Sequence, residues 1–236
     1  MKKLYDKDPV WFAVIWILVY VLAFGNADSL SEAMGVPKLL TVAVGLVLAL
    51  ILWRFLRKNN LETAQGLCPF RGNYRRFLYF LPLIAISSVN FWFGTAVTAS
   101  PLETLLYILS MCLVCFLEEM IFRGLLFQAM RPSGVTAAIV VSSLTFGAGH
   151  IINLLLGAPL AETLLQLVYA SAVGFCYTAV FLAGGSLLPC ILSHIFVNST
   201  SIFAAEPTNG QMLLAAILQT LLGIGYGLWL LKRKPA

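Results

Sequence analysis

Eight stretches of this chain are apolar for long enough to cross a lipid bilayer, and the charged residues fall almost entirely between them. A hydrocarbon core about 30 Å thick asks for roughly 20 apolar residues per helix. The stretches run 10–24, 39–56, 77–97, 102–130, 135–156, 160–183, 186–205 and 211–231. The fourth is too long for an upright span and must tilt or project. The first is short, and Gly25-Asn26-Ala27 after it faintly resembles a signal-peptidase site. Only 11% of the 236 residues are charged and 60% are hydrophobic, against about 25% charged in soluble domains, so the solvent of this chain is lipid. The expected fold is an all-α, polytopic transmembrane helix bundle of about eight spans, forming one integral membrane domain over residues 1–236.

Charge placement orients the bundle. Lys2, Lys3 and Lys7 precede the first span, and Arg54, Arg57, Lys58, Arg71, Arg75 and Arg76 border or fill the connection after the second. Arg131 follows the fourth span, and Lys232, Arg233 and Lys234 follow the last. The alternate connections carry Asp28, Glu32, Glu103, Glu162 and Glu206, with Lys38 their single basic residue. The positive-inside rule then places both termini in the cytoplasm. The net charge of +5 serves topology, and no nucleic-acid partner is implied. The connection 54–76, with Phe70, Tyr74 and Phe77 among its basic residues, reads either as a piece lying on the anionic leaflet or as a solvated linker. Cys112 and Cys115 form a C-x-x-C inside an apolar run, where small apolar filling is the plainer reading than a redox or metal pair. Gly223-x-x-x-Gly227 favours close helix packing and says nothing about oligomers.

Ionisable groups at bilayer depth are costly and mark function by default. The two histidines of the chain, His150 and His194, both lie in apolar segments, as do Glu118, Glu119 and Arg123. On a helix, Glu119 and Arg123 are four apart and can pair, while Glu118 points about 100° away. Phe146 and His150 share a face of the fifth span, and His194 and Asn198 share a face of the seventh. At about 1.5 Å per residue, Glu118, His150, His194 and Asn198 come out compatible with one layer near mid-membrane. Each residue alone has a structural explanation: interhelical hydrogen bonding for a histidine or Asn198, ion-pair glue for Glu119–Arg123, plain core for Phe146. Their convergence on three spans points instead to one site.

At these residues the chain resembles the CAAX protease and bacteriocin-processing family of intramembrane proteases, also called the Abi family. The family pattern is E-E-x-x-x-R, F-x-x-x-H and H-x-x-x-N, and here it reads Glu118-Glu119-x-x-x-Arg123, Phe146-x-x-x-His150 and His194-x-x-x-Asn198, in order on successive predicted helices. The resemblance covers about residues 100–205. It implies an intramembrane endopeptidase in which Glu118 activates water with help from His150, His194 and Asn198 stabilise the oxyanion, and Glu119, Arg123 and Phe146 support them. Peptide hydrolysis needs an activated water and donors aimed at the developing oxyanion, which this set can supply. Gly147 and Gly149 permit close approach to His150, and Pro189 could loosen the helix that carries His194.

Zinc held by Glu118, His150 and His194 is the alternative chemistry, since three ligands and an open water position make a catalytic site. With no H-E-x-x-H in the chain and Asn198 beside His194, catalysis without a cofactor is preferred. The implied partners are the lipid bilayer and a hydrophobic or lipidated peptide or protein, approached from the cytoplasmic side. Short loops and compact size suggest a prokaryotic plasma membrane, where a prenylated CAAX substrate is not expected. Two further readings use the same residues: a non-catalytic immunity or scaffold protein of this fold, and a small transporter, whose usual repeated halves are not visible here.

Overall fold

The computed structural model describes residues 1–155 and 157–233. Leu156, the expected end of the fifth span, and Lys234, in the last basic cluster, lie outside the described residues. Helices dominate. A short α1 (Lys2–Lys7) leads into α2 (Pro9–Ala33), α3 (Leu39–Lys58), α4 (Leu81–Ser87), α5 (Pro101–Ser133), α6 (Val135–Gly149), α7 (Leu160–Gly184), α8 (Leu188–Thr200) and α9 (Asn209–Lys232). Among the described residues, the extended pairing is a single antiparallel bridge, Thr95 with Ala204.

Helix boundaries follow local chemistry. Asp8 caps α2 by accepting from the Trp11 amide, with Pro9 preset for the first turn. Ser100 and Glu103 form a capping box on α5, and Thr208 and Gln211 form another on α9. Gly185, at φ 69°, ends α7 in the left-handed conformation that glycine adopts without penalty.

Six helices are long and apolar enough to cross a bilayer: α2, α3, α5, α6 with its continuation to Leu154, α7 and α9. With the lipid-like composition, they make this an integral membrane protein. The expected count of about eight spans is not reproduced by long helices among the described residues, because two of the apolar stretches are not long helices. The stretch 77–97 breaks into a turn with Leu78, Tyr79 and Phe80 all at positive φ, then the seven-residue α4, then a 3₁₀ turn at Val89–Phe91. The stretch 186–205 forms α8 with a 3₁₀ turn at Ser201–Phe203. These two short pieces are joined by side-chain hydrogen bonds: Ser87 to the Ser193 carbonyl at 3.1 Å, and the Asn90 amide to the Val197 carbonyl and to Thr200 Oγ1. Hydropathy registers their apolar outer faces, such as Ile84 and Leu192, and is blind to the polar seam behind them. Pro189 sits in the first turn of α8, where it starts the helix instead of loosening it.

The connection 59–76 gathers one end of the bundle. Gln65 bonds Tyr5, Gln128 bonds the Ala64 carbonyl, the Leu187 amide bonds the Gly66 carbonyl, and Arg76 reaches the Arg233 carbonyl. Residues near both ends of the described chain therefore meet this basic connection. Phe77 is buried and joins Phe70 and Phe80 in an aromatic cluster, so at least this part of the segment is packed core, neither leaflet anchor nor free linker.

The Gly223-x-x-x-Gly227 spacing is used within the chain. A Cβ at Gly223 would stand 2.7 Å from the Ala172 carbonyl oxygen, and one at Gly227 would overlap the Phe175 ring. α9 thus lies against α7 as closely as backbones allow. Replacing Gly223 by leucine forces the two helices apart, and a loss of about 1–3 kcal/mol is expected for such overpacking. Thermal unfolding of the detergent-solubilised variant checks it, and an unchanged midpoint refutes the seam.

Candidate active site

α5 carries the Glu118-Glu119 doublet at the point where its backbone changes. Residues Met120–Phe127 form a π-helical segment, eight residues long and wholly buried. Such widened turns put side chains where a regular helix does not and occur often at functional sites. Arg123 still reaches back to Glu119, with Nη1 donating to Oε1 at 3.0 Å. Both side chains are fully buried. The guanidinium lies over the Phe146 ring of α6 at 4.1 Å from its centroid. Gly174 of α7 makes this possible, because a Cβ there would sit 2.8 Å from Arg123 Nη2 and 3.0 Å from Phe146 Cδ1.

The same Glu119 oxygen lies 2.9 Å from His194 Nδ1, so the ring donates to it through that nitrogen. The outer nitrogen, Nε2, then faces Asn198 Nδ2 at 3.3 Å and Glu118 Oε2 at 3.6 Å. The structure brings Glu118, Glu119, Arg123, Phe146, His194 and Asn198 into one cluster. His150, at the C-terminal end of α6, also stands beside Phe146; both imidazoles lie 5.7 Å from that ring. Gly147 lets α6 press against Leu167 and Ser171 of α7, whereas nothing lies within 4 Å of the Cβ position at Gly149.

Two groups around the doublet were not expected from the sequence. Tyr20, from the middle of α2, donates its hydroxyl to Glu118 Oε1 at 2.6 Å. A tyrosine in an apolar span carries no motif, and only packing of α2 against the π segment shows what it meets. Tyr177 of α7 lies under the His194 ring at 5.8 Å and shares a hydrogen bond with Ser193. Cys115 sits behind the His194 carbonyl, and both it and Cys112 are unpaired thiols, in keeping with small apolar filling.

A cavity of about 490 Å³ adjoins the cluster. His150, His194, Asn198, Phe146 and Tyr177 line its inner part, and Phe93, Gly94, Glu162, Ala205, Pro207 and Gln211 line its outer part. The outer residues all sit at the end of the bundle opposite the basic 59–76 connection, which differs from the approach expected from the sequence. At the rim, the paired segments satisfy their own backbone: the Ala96 amide bonds the Phe203 carbonyl at 2.9 Å, and the Ala205 amide bonds the Gly94 carbonyl at 3.2 Å. Irregular backbone near a bilayer needs such partners.

Among the described residues, no three His, Cys, Asp or Glu side chains are grouped so as to hold an ion. His194 gives its Nδ1–H to Glu119, which leaves Nε2 open toward Glu118 Oε2 at 3.6 Å.

Fold and cluster together define an integral membrane protein with a buried ionisable centre open to a cavity. Residues 100–200 match the family model described as type II CAAX prenyl endopeptidase Rce1-like. The matched residues span the three motifs, so this part of the chain is similar to that family. Among curated proteins no match is found.

Removing Arg123 leaves Glu119 buried without its cation, an error that costs about 3–5 kcal/mol. Arg123→Ala is therefore expected to lower the thermal midpoint of the purified protein far more than Arg131→Ala, at an exposed position; equal midpoints count against the buried pair.

Proposed function

We propose that this protein is an intramembrane endopeptidase that hydrolyses a peptide bond of a hydrophobic or membrane-associated peptide, without a metal. Glu118 takes a proton from a water molecule, assisted by His150. The water oxygen attacks the carbonyl carbon, and the resulting oxyanion accepts hydrogen bonds from Asn198 Nδ2 and from Nε2 of the doubly protonated His194. Collapse breaks the C–N bond, and Glu118 returns the proton to the leaving nitrogen, giving a carboxylic acid and an amine, which become carboxylate and ammonium by proton exchange with water.

One observation carries this reading. Glu118 Oε2 and Asn198 Nδ2 both face His194 Nε2, at 3.6 and 3.3 Å, and His194 and Asn198 line the inner part of a cavity. A base and two donors thus stand within reach of one reacting atom, which is the geometry acyl hydrolysis requires. Glu119 and Arg123 act through His194 by holding its ring, and Tyr20 acts through Glu118 by holding its carboxylate. The membrane is taken to be a prokaryotic plasma membrane, on the shortness of the connections.

Glu118→Ala is expected to abolish cleavage while the protein still inserts, as read by membrane fractionation. Undiminished turnover rules this mechanism out. Asn198→Ala is expected to lower kcat by roughly 100–1,000-fold, the usual effect of deleting one oxyanion donor. Tyr20→Phe removes a hydrogen bond to a charged group, worth about 1.5–3 kcal/mol, and an intermediate loss of turnover is expected. Dialysis against a strong chelator is expected to leave activity intact; a loss reversed by added zinc overturns the metal-free assignment.

A further inference from the structure

The cavity has a direction. α7 lines it from Glu162 in its first turn to Tyr177, a rise of about 22 Å along the helix. α9 lines it from Gln211 in its first turn to Gln219, about 12 Å deeper. α5 contributes Tyr107 and Met111 from its early turns, and Phe93 and Ala205 close the rim. None of the lining residues comes from 59–76, from 128–134 or from the α7–α8 turn, so no wall belongs to the basic end of the bundle.

Charge separates the two ends sharply. Twelve of the fourteen Lys and Arg residues described fall on the segments at the far end, the exceptions being Lys38 and the buried Arg123. The cavity end carries Asp28, Glu32, Glu103, Glu162 and Glu206, with Lys38 bound to Asp28 at 2.8 Å. By the positive-inside rule the basic end faces the cytoplasm, and the cavity therefore opens on the opposite face. Glu162 lies in the cavity wall itself and Glu206 adjoins Ala205 and Pro207 there, while among the described residues no lysine or arginine lines it. Gln219, buried to 7% exposure in the middle of an otherwise apolar helix, lines the inner part. A primary amide at that depth is costly unless it meets polar groups, and it presents both a donor and an acceptor, as a peptide backbone requires.

We infer that the substrate reaches Glu118 and His194 from the non-cytoplasmic face, as an extended segment of an exported or outer-leaflet peptide whose leading part is cationic or neutral, with Gln219 bonding its backbone. This rests on the endopeptidase reading for the chemistry, but not for the direction. An extended chain rises about 3.3 Å per residue, so roughly six or seven residues reach from the rim to the histidines. A free C-terminal carboxylate or an acidic segment meets like charge from Glu162 and Glu206 at the rim.

Two measurements test it. In intact cells, Gln211→Cys at the rim and Gln219→Cys deeper in are treated with a membrane-impermeant trimethylammonium thiosulfonate, with Arg71→Cys on the basic connection as the opposite marker and the unsubstituted protein as background for its own five thiols. Modification of Gln211→Cys and Gln219→Cys without permeabilisation, and of Arg71→Cys only after it, is the expected result. The reverse pattern overturns the direction whether or not the protein cleaves anything, and Gln211→Cys, at a partly exposed position, decides it if Gln219→Cys fails to fold. In sealed vesicles of one orientation, verified by Arg71→Cys labelling, quenched apolar peptides flanked by lysines or by glutamates are added outside. Cleavage is expected only where the cavity end faces out, with the lysine-flanked peptide favoured by about tenfold or more at low salt and less at high salt. The same preference is expected to shrink in Glu162→Gln. Cleavage confined to the other orientation, or equal rates for the two peptides, overturns the substrate assignment; no cleavage in either orientation or in detergent sinks the protease reading and leaves the labelling result to stand on direction alone.

Discussion

A carboxylate and a guanidinium buried side by side within a lipid-facing bundle hold the centre of this protein together. Glu119 and Arg123 are wholly removed from solvent, and taking two charges to that depth is favourable only where each is matched. The match is shared beyond the pair. Arg123 also lies on the Phe146 face, and Glu119 also accepts from His194. Three helices, α5, α6 and α8, are thereby tied at one depth by one network. Because the network consumes Nδ1 of His194, the remaining nitrogen is aimed at Asn198 and Glu118 with little freedom to rotate.

The irregular parts of the fold serve that arrangement. The π segment after Glu119 widens α5 just where it must reach α6 and α8. The break of 77–97 into a turn and a short helix lets Ser87 and Asn90 bond the back of α8, fixing the helix that carries His194 and Asn198. Glycines at 174 and 147 let α7 close on the cluster. Each feature removes a stretch of regular backbone hydrogen bonding or a side chain from an element, and each is placed where a functional side chain needs room or support.

Much of this was legible beforehand. Lipid as solvent follows from composition alone, and helices α2, α3, α5, α7 and α9 fall where apolar length requires them. The Glu119–Arg123 pair and the His194–Asn198 face follow from helical spacing, since residues four apart meet on any helix. What failed was the treatment of 77–97 and 186–205 as ordinary spans: hydropathy sums side chains and takes no account of consecutive left-handed residues such as Leu78, Tyr79 and Phe80. Tyr20 was missed for a different reason. Its partner lies 98 positions away, and no local pattern marks a tyrosine as a donor to a carboxylate on another helix. Charges along the chain tell which end of the bundle is basic, whereas which end is hollow depends on how the helix ends pack, so the place of the cavity was not legible beforehand.

By itself, then, the amino-acid sequence determined the membrane as solvent, the basic and acidic ends, and the identity and order of the ionisable residues, because these are properties of composition and of periods shorter than one or two helical turns. Tertiary structure alone decided which nitrogen of His194 is free, that Tyr20 holds Glu118, that α9 backs onto α7 through Gly223, and at which end the cavity lies. Those are relations between helices far apart in the chain, and they come into being only when the bundle closes.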